Sequence, residues 1–261
     1  MDTTGTPNVG EVENFYDKRG ENRLTQDRKE YGSDSLPLTI SGPHRKMEEF
    51  VDTLPANSKI LDLCCGHGTH SIYPAKLGHQ VVGVDFSEKS VEAAQWLAKT
   101  HGVESNCQFL KADAMRFLAD HQGRFDLVVI SGSLYYFDLD KILPLIKNSL
   151  ADGGTFICTG TSGSGLFGNL YRGLRQAVSK YRDQASVSDL LKNKDLKKVN
   201  SYFKTGRPTY HCFLTMGLGL VPRALGLRKG MQRGFSLVDK ILLNSLGMFF
   251  LGFKFYFVGK K

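Results

Sequence analysis

The stretch from Lys59 to Asp85 limits the possible folds of this chain more than any other part of its sequence. It begins as an apolar strand, turns at Gly66 and Gly68, and passes through a short helix into a second apolar strand that ends in Asp85. Glycines allow positive φ and let a ligand approach the backbone, and the amides at the start of the helix can face an anionic group. We therefore expect the first half of a nucleotide-binding α/β unit here.

Apolar strands and helices continue to alternate up to about residue 162. The alternation predicts an α/β fold with a mostly parallel, doubly wound sheet that is covered on both faces. Strands are predicted at 59–64, 80–84, 107–110, 125–130 and 155–159, and helices at 44–54, 69–77, 87–102, around 115–118, and at 139–150.

The alternation stops after Thr161, and a basic segment follows. Residues 163–236 contain fourteen Lys and Arg against three Asp, in a chain of net charge +8. Such a run is most simply a solvated helical face, or it attracts an acidic substrate or an anionic membrane surface. No nucleic-acid-binding motif accompanies it. Leucine spacing predicts a helix at 166–181, and we expect a lid over the carboxyl ends of the strands.

The two ends of the chain have different patterns. Residues 1–35 are polar, except for a cluster around Phe15 and Tyr16 that predicts one turn of amphipathic helix. Residues 241–258 are almost uninterrupted apolar, which approaches the length of a membrane span. Gly247 and Gly252 divide this segment, which favours a helix at 237–246 followed by an antiparallel final strand. A membrane-associating element and a true span are the alternatives.

The cysteines and the polar start of the chain bear on location. The five cysteines are scattered without metal-binding spacing, so we predict no metal site and reduced thiols. No signal peptide is apparent, and a cytoplasmic location is expected.

Asp62 separates this unit from a nicotinamide site. It ends the first strand, where its carboxylate would repel a pyrophosphate and attract a cation. In addition, Ser71 stands where a dinucleotide fingerprint has its third glycine. The expected ligand therefore carries adenosine-like hydroxyls and a positive charge.

An ordered set of short motifs resembles the class I S-adenosylmethionine-dependent methyltransferases of small-molecule type. The resemblance covers about residues 55–162 and implies a seven-stranded sheet, with the last strand antiparallel and a mainly helical cap after the fifth strand. It implies an N-terminal arm and cap (1–46), a cofactor-binding core (47–162), a basic lid and substrate region (163–235) and a C-terminal helix and strand that complete the core (236–261). The motifs are residues 61–68 (LDLCCGHG), 82–87 (VGVDFS), 110–114 (LKADA), 125–129 (FDLVV) and 150–154 (LADGG).

The resemblance implies a set of S-adenosylmethionine-binding residues. The methionine end would lie at the glycine turn, the ribose hydroxyls and adenine at the ends of the second and third strands, and the substrate side after the fourth strand. A glycine of the family pattern is Cys64 here, which implies tighter packing against the cofactor. The set is Asp62, Cys64, Gly66 and Gly68 for the methionine end, Asp85 for the ribose, Phe86, Asp113 and Ala114 for the adenine, Ser131 between cofactor and substrate, and Tyr16 as a closing residue.

Simpler roles exist for several of these side chains. Asp85 and Asp113 also suit helix caps, Phe86 suits the core, and a structural role is expected for His67 and His70.

Methyl transfer releases a neutral leaving group, so the reaction needs a base only when the nucleophile carries a proton. The candidates are His211, which we prefer, Tyr210 and Tyr135. The alternative for His211 is a buried packing residue.

The expected activity is methylation of an oxygen or nitrogen of a small, acidic molecule, such as a specialised metabolite in a biosynthetic pathway. Residues 131–134 (SGSL) lack the Asn-Pro-Pro-Tyr type of tetrapeptide, which disfavours modification of nucleic-acid bases or amides. Alternatives are a lipid or quinone methyltransferase at a membrane surface, and a non-catalytic cofactor-binding regulatory protein. Expected partners are a small-molecule substrate and no nucleic acid, with peripheral membrane contact as a possibility, in a monomer or homodimer.

Overall fold

A computed structural model describes residues 9–37, 41–165, 190–215 and 228–261. The helix expected at 166–181 lies outside these residues. The strands are β1 Lys59–Leu63, β2 Gln80–Asp85, β3 Cys107–Lys111, β4 Phe125–Ser131, β5 Leu150–Thr161, β6 Thr209–His211 and β7 Lys254–Lys260. The helices are α1 Val9–Thr25, α2 Gly42–Val51, α3 Ile72–Lys76, α4 Glu88–Thr100, α5 Ala114–Asp120, α6 Leu139–Ser149, α7 Asn193–Tyr202 and α8 Arg228–Asp239.

The strands form one sheet in the order β3-β2-β1-β4-β5-β7-β6. All neighbouring pairs from β3 to β5 are parallel, whereas β7 runs antiparallel to both β5 and β6. The expected seven-stranded, doubly wound sheet with an antiparallel last strand is therefore confirmed. The carboxyl ends of β1, β2 and β4 lie at one edge, where this kind of sheet binds its ligands.

Apolar side chains cover both faces of the sheet. One core cluster includes Met47, Ile72 and Leu97 from the helices α2, α3 and α4. The other includes Leu118 and Ile146 from α5 and α6, together with aromatic residues of the last strands. Parallel strands need apolar residues on both faces, which explains why they read as continuous apolar runs in the sequence.

Strand β6 was not expected from the sequence. It lies in the segment assigned to the lid, and its residues Thr209–His211 pair with Lys254–Tyr256 of β7. Three residues are too few to show a strand period. The strand forms because the outer edge of β7 offers backbone hydrogen-bonding groups that need partners.

The N-terminal helix α1 is longer than the single turn that the sequence indicated. It runs over seventeen residues and packs on α4. The Asp17 carboxylate accepts hydrogen bonds from Ser87 Oγ at 2.6 Å and from the Lys89 amide at 3.2 Å. Gly20 allows the close approach, because a Cβ atom there would lie 2.4 Å from the Lys89 carbonyl carbon. Gly10 and Gly20 weaken the helical pattern in the sequence of α1, which explains why only one helical turn was expected.

We expect Gly20→Ala to lower the free energy of unfolding by about 1–3 kcal/mol, because the added methyl group would overlap the α4 backbone. Gly234→Ala is the matched control, since a Cβ atom at this helical glycine of α8 would meet nothing within 4 Å. The control should gain up to about 1 kcal/mol from helix propensity. Urea denaturation measures both. Equal stabilisation of the two variants would contradict the close packing of α1 on α4.

The C-terminal segment begins its helix earlier than expected from the sequence. Helix α8 starts at Arg228 and continues as a π-helical turn at Lys240–Ser245, before a short 3-10 turn leads into β7. The expected final strand is confirmed. In the described parts of the chain, no helix has both the length and the apolar character that a membrane span requires.

Candidate active site

The turn after β1 presents backbone to open space. Cys64, Gly66 and Gly68 all have positive φ, at 59°, 52° and 71°. A Cβ atom on Gly66 would touch nothing within 4 Å, whereas one on Gly68 would lie 2.8 Å from the Ala94 Cβ atom. Gly68 is thus required by packing against α4. Gly66 leaves a space in which a ligand can contact the main chain.

Asp85 anchors this turn to the end of β2. Its carboxylate accepts hydrogen bonds from the Gly66 amide at 2.8 Å and from the Ser87 amide at 3.0 Å. Burial raises the pKa of Asp85, while these amides act in the opposite direction. Each carboxylate oxygen keeps further acceptor capacity, so Asp85 can hold the turn and also accept hydrogen bonds from ligand hydroxyls.

Three carboxylates surround the side chain of Cys64. Burial raises the pKa of its thiol, and the charges of Asp85, Asp62 and Asp113 raise it further. Burial also raises the pKa of Asp62 to about 7. A 2.6 Å hydrogen bond from Ser71 Oγ acts in the opposite direction and is the smaller effect. Grouped carboxylates repel one another and favour a cationic ligand over a diphosphate. The residues present therefore fit a sulfonium cofactor with ribose hydroxyls.

The remaining adenine-side residues lie next to the same edge. Asp113 is exposed and caps α5 by accepting the Arg116 amide at 2.9 Å. Ala114 is buried as the first residue of that helix. The simpler capping role of Asp113 is therefore present, and one of its oxygens remains available for a ligand amino group.

Helix α1 covers the site with aromatic side chains. The Tyr16 ring meets the Phe86 ring edge-on with centroids 6.0 Å apart, and its hydroxyl lies 3.3 Å from the Tyr136 hydroxyl. Burial raises the pKa of Tyr16, so the phenol stays protonated. The side chain thus links the end of β2 to the turn after β4. This position suits its expected closing role.

Ser131 and Tyr135, the residues predicted for the substrate side, lie at the carboxyl end of β4 and in the turn after it. Ser131 Oγ is 3.0 Å from Thr159 Oγ1 and joins the ends of β4 and β5. Tyr135 belongs to the short helical turn after β4, and its ring centroid is 4.3 Å from that of Tyr136. Their roles toward a substrate stay predictions.

The structure places Tyr210 and His211 together but away from the carboxylates. Strand β6 is four strand spacings from β1, roughly 19 Å. The Tyr210 hydroxyl donates to Asn193 Oδ1 at 2.6 Å. His211 Nε2 is 3.0 Å from Thr209 Oγ1, and burial lowers the pKa of His211 to about 3, with a smaller effect from Lys46. His211 is therefore neutral at physiological pH. Its catalytic role stays a prediction.

A pair of stacked histidines lies nearer the glycine turn and was not predicted from the sequence. The rings of His44 and His70 stack with centroids 4.5 Å apart, and both Nδ1 atoms are buried without a hydrogen-bond partner. Burial lowers the pKa of His44 well below its ordinary value and that of His70 to about 4; nearby Lys254 adds to the effect on His44. The residues are far apart in sequence and form no motif. No local signal therefore identified the pair.

Arg23 of α1 was also missed. It is only 5% exposed, and its Nε atom is buried without a partner, although its Nη2 donates to the Glu30 carbonyl oxygen. Its charge lies close enough to lower the pKa of His67, in the glycine turn, after the larger effect of burial. A buried, partly unpaired guanidinium beside the turn can bind a carboxylate.

Comparison with known proteins agrees with this geometry. A family model described as a methyltransferase domain matches residues 54–205. The chain is 36% identical over 94 residues to the putative methyltransferase YqeM of Bacillus subtilis, with 36% of each protein covered. It is 33% identical over 129 residues to the S-adenosyl-L-methionine-dependent Diels-Alderase iccD of Talaromyces variabilis, with 46% of this chain and 43% of iccD covered. The chain thus spans less than half the length of these relatives.

The fold has solved counterparts. The crystal structure of the [4+2]-cyclase SpnF superposes with a TM-score of 0.60 at 16% identity, covering 98% of this chain and 97% of SpnF. At this identity the likeness concerns the fold alone. The family model covers more than half of the chain, including the glycine turn and the carboxylates around it. The fold is also that of a SAM-dependent methyltransferase from Archaeoglobus fulgidus, with a TM-score of 0.55 at 14% identity over 83% of this chain and 92% of that one. The chain therefore belongs to the methyltransferase-domain family.

Proposed function

We propose that this protein transfers a methyl group from S-adenosylmethionine to an oxygen or nitrogen atom of a small, anionic molecule. The observation that carries the proposal is the distribution of charge along the ligand edge of the sheet. Carboxylates surround the glycine turn. Toward β7 and β6, Lys254 acts on the His44 ring and Lys46 acts on the His211 ring. One side therefore suits the cationic cofactor, and the other suits an acceptor that carries a carboxylate or phosphate.

The cofactor would be held from both ends of the turn. Asp62 and the Gly66 backbone would take its ammonium end, Arg23 its carboxylate, and Asp85 its ribose hydroxyls. Phe86 and Asp113 would contact the adenine. When bound, S-adenosylmethionine supplies an electrophilic methyl group on a positively charged sulfur.

The protein would contribute mainly position and exclusion of water. Tyr16 of α1 covers the site from above and links Phe86 to Tyr136. Ser131 and Tyr135 border the side on which the acceptor would lie. An acceptor hydroxyl or amine would then meet the methyl group in a space closed by aromatic side chains.

Three buried histidines carry an unprotonated ring nitrogen at pH 7. Burial lowers the pKa values of His44, His70 and His211, which keeps their rings neutral and also makes them weaker bases than an exposed histidine. The stacked pair lies closer to the turn than His211 does, since His70 directly follows the turn. We therefore add His44 to His211 as a candidate base.

Replacing the base should lower the methyl-transfer rate by about 10²–10⁴-fold and leave cofactor affinity unchanged. His44→Gln and His211→Gln test the two candidates. His121→Gln is the control, because His121 follows α5 and stacks on Phe117 away from the site. Single-turnover assays and calorimetry with S-adenosylmethionine give the two measurements. An unchanged rate in both variants would exclude His44 and His211 as the base.

The acceptor class can be tested without knowing the acceptor. Protein and isotopically methyl-labelled S-adenosylmethionine are incubated with metabolite extract that has been separated by anion exchange. We expect label in the anion-retained fractions. Label only in neutral or cationic fractions, or in protein, would contradict an anionic small-molecule acceptor.

A second candidate function is cofactor-dependent catalysis without methyl transfer. It is favoured by the similarity to iccD, which is named as a Diels-Alderase that depends on S-adenosyl-L-methionine. In that case the protein would bind the cofactor tightly, and no S-adenosylhomocysteine would form with any fraction. The same labelling experiment therefore separates the two functions.

A further inference from the structure

The segment from α8 to the turn before β7 presents apolar side chains to solvent. Among the residues that the structure describes, six large hydrophobic side chains are notably exposed, and five of them lie between residues 237 and 250. Scattered exposed leucines are normal, whereas a cluster within fourteen positions is not. We call this cluster the apolar ridge; it consists of Leu237, Val238, Ile241, Leu246 and Phe250, exposed by 60%, 40%, 47%, 66% and 44%.

The inward side of α8 is held to the protein by polar groups. Asp239 is 2% exposed, and its carboxylate accepts hydrogen bonds from the backbone amides of Phe213 at 3.1 Å and Leu214 at 2.7 Å. Gln232 and Ser236 line the same small cavity as Asp239. In the π-helical turn that follows, Leu243 is buried in the core. The bonds of Asp239 and the burial of Leu243 fix this segment with the apolar ridge facing outward, whereas a surface helix normally buries its apolar residues.

Basic residues accompany the apolar ridge. Arg233 and Lys240 are exposed, and Arg233 precedes Leu237 and Ile241 at intervals of four, which places the three on one side of the helix. Residues 228–246 contain a single acidic residue, the buried Asp239. The outer side of this segment is therefore both apolar and cationic.

We propose that the apolar ridge docks the protein on the surface of an anionic lipid bilayer. A helix with large apolar residues on one face and adjacent Lys or Arg lies in the plane of such an interface, with apolar side chains among the acyl chains and cationic groups at the head groups. A second copy of this chain fits less well, because a two-fold contact through this face would bring two cationic surfaces together, whereas lipid head groups can be anionic. The docking needs neither cofactor nor methyl transfer, so it stands or falls independently of the proposed function.

Vesicle co-sedimentation of the full chain tests the proposal. We expect binding to vesicles of phosphatidylcholine with roughly a third phosphatidylserine and little binding to phosphatidylcholine alone. Raising the salt from about 0.1 M to about 0.5 M should weaken the binding, since exposed charges are screened.

Variants then distinguish vesicle binding through the apolar ridge from non-specific hydrophobic adsorption. Leu237→Glu/Ile241→Glu should lower the bound fraction about tenfold or more, whereas Leu77→Glu should not; Leu77 is 47% exposed in the turn after α3, outside the ridge. Arg233→Gln/Lys240→Gln leaves the apolar side chains in place and should remove most of the preference for anionic vesicles. This variant still tests the proposal if circular dichroism shows that the glutamate variant does not fold.

Several outcomes would overturn the proposal. One is equal binding by the ridge variants and Leu77→Glu. Another is the absence of wild-type binding to anionic vesicles. A third is a wild-type dimer in sedimentation velocity that Leu237→Glu/Ile241→Glu dissociates without any vesicle binding, which would make the apolar ridge an interface between copies.

Discussion

Asp85→Asn should weaken the binding of S-adenosylmethionine by about 100-fold, as measured by titration calorimetry. The ribose hydroxyls would donate hydrogen bonds to the carboxylate. A hydrogen bond to a charged acceptor makes a net contribution of roughly 1.5–3 kcal/mol to the free energy of binding. The amide nitrogen of Asn would also face a backbone donor, since one carboxylate oxygen of Asp85 accepts the Gly66 amide at 2.8 Å and the other accepts the Ser87 amide at 3.0 Å. Both effects act on the same ligand contact, so the loss should be large.

Asp126→Asn provides the matched control for this experiment. Asp126 also accepts a backbone amide, that of Lys59 at 2.7 Å, but Lys59 begins β1 and so lies at the opposite edge of the sheet. We expect its variant to bind the cofactor like the wild type. NAD(H) should bind to neither protein, because the carboxylates around the turn disfavour a pyrophosphate. Unchanged cofactor affinity in Asp85→Asn, with normal folding, would show that Asp85 acts only as a structural anchor.

Asp62→Asn should stabilise the cofactor-free protein at pH 8 by about 2–4 kcal/mol. Asp62 is 4% exposed, and burial raises its pKa from the ordinary 3.8 to about 7. The folded protein therefore holds a proton that the unfolded chain releases, and wild-type stability should fall as the pH rises from about 4 through 7. Asn keeps the hydrogen bond from Ser71 Oγ and carries no charge, so this decline should be smaller in the variant. Urea denaturation at pH 5 and pH 8 measures the difference.

The stabilisation should come at the expense of ligand binding. Asp62 would face the cationic end of the cofactor, so Asp62→Asn should also lower the affinity for S-adenosylmethionine, by about tenfold. Asp126→Asn again serves as the control for ligand binding, because Asp126 lies at the opposite edge of the sheet. A variant that loses stability at pH 8 would contradict the assignment of Asp62 as a buried, destabilising charge.

Local patterns in the sequence were sufficient to predict the central parallel strands and the turn after β1. The apolar runs of β1 and β4, the glycines of the turn and the terminal Asp85 are all signals within a few residues, and each reflects a local rule of backbone or burial. Their order along the chain led to the sheet, its antiparallel last strand and the cofactor class. The helix boundaries were less exact, because Gly20 and the π-helical turn after Asp239 interrupt the expected period.

The sequence by itself therefore determined the fold and the family, because both depend on contiguous motifs. Only the tertiary structure brought His44 onto His70, Asp17 onto the start of α4, and Asp239 onto the backbone after β6. These contacts join residues that are 25 or more positions apart, and packing rather than local propensity decides them. For the same reason the outward orientation of the apolar ridge could be described only after the chain was folded.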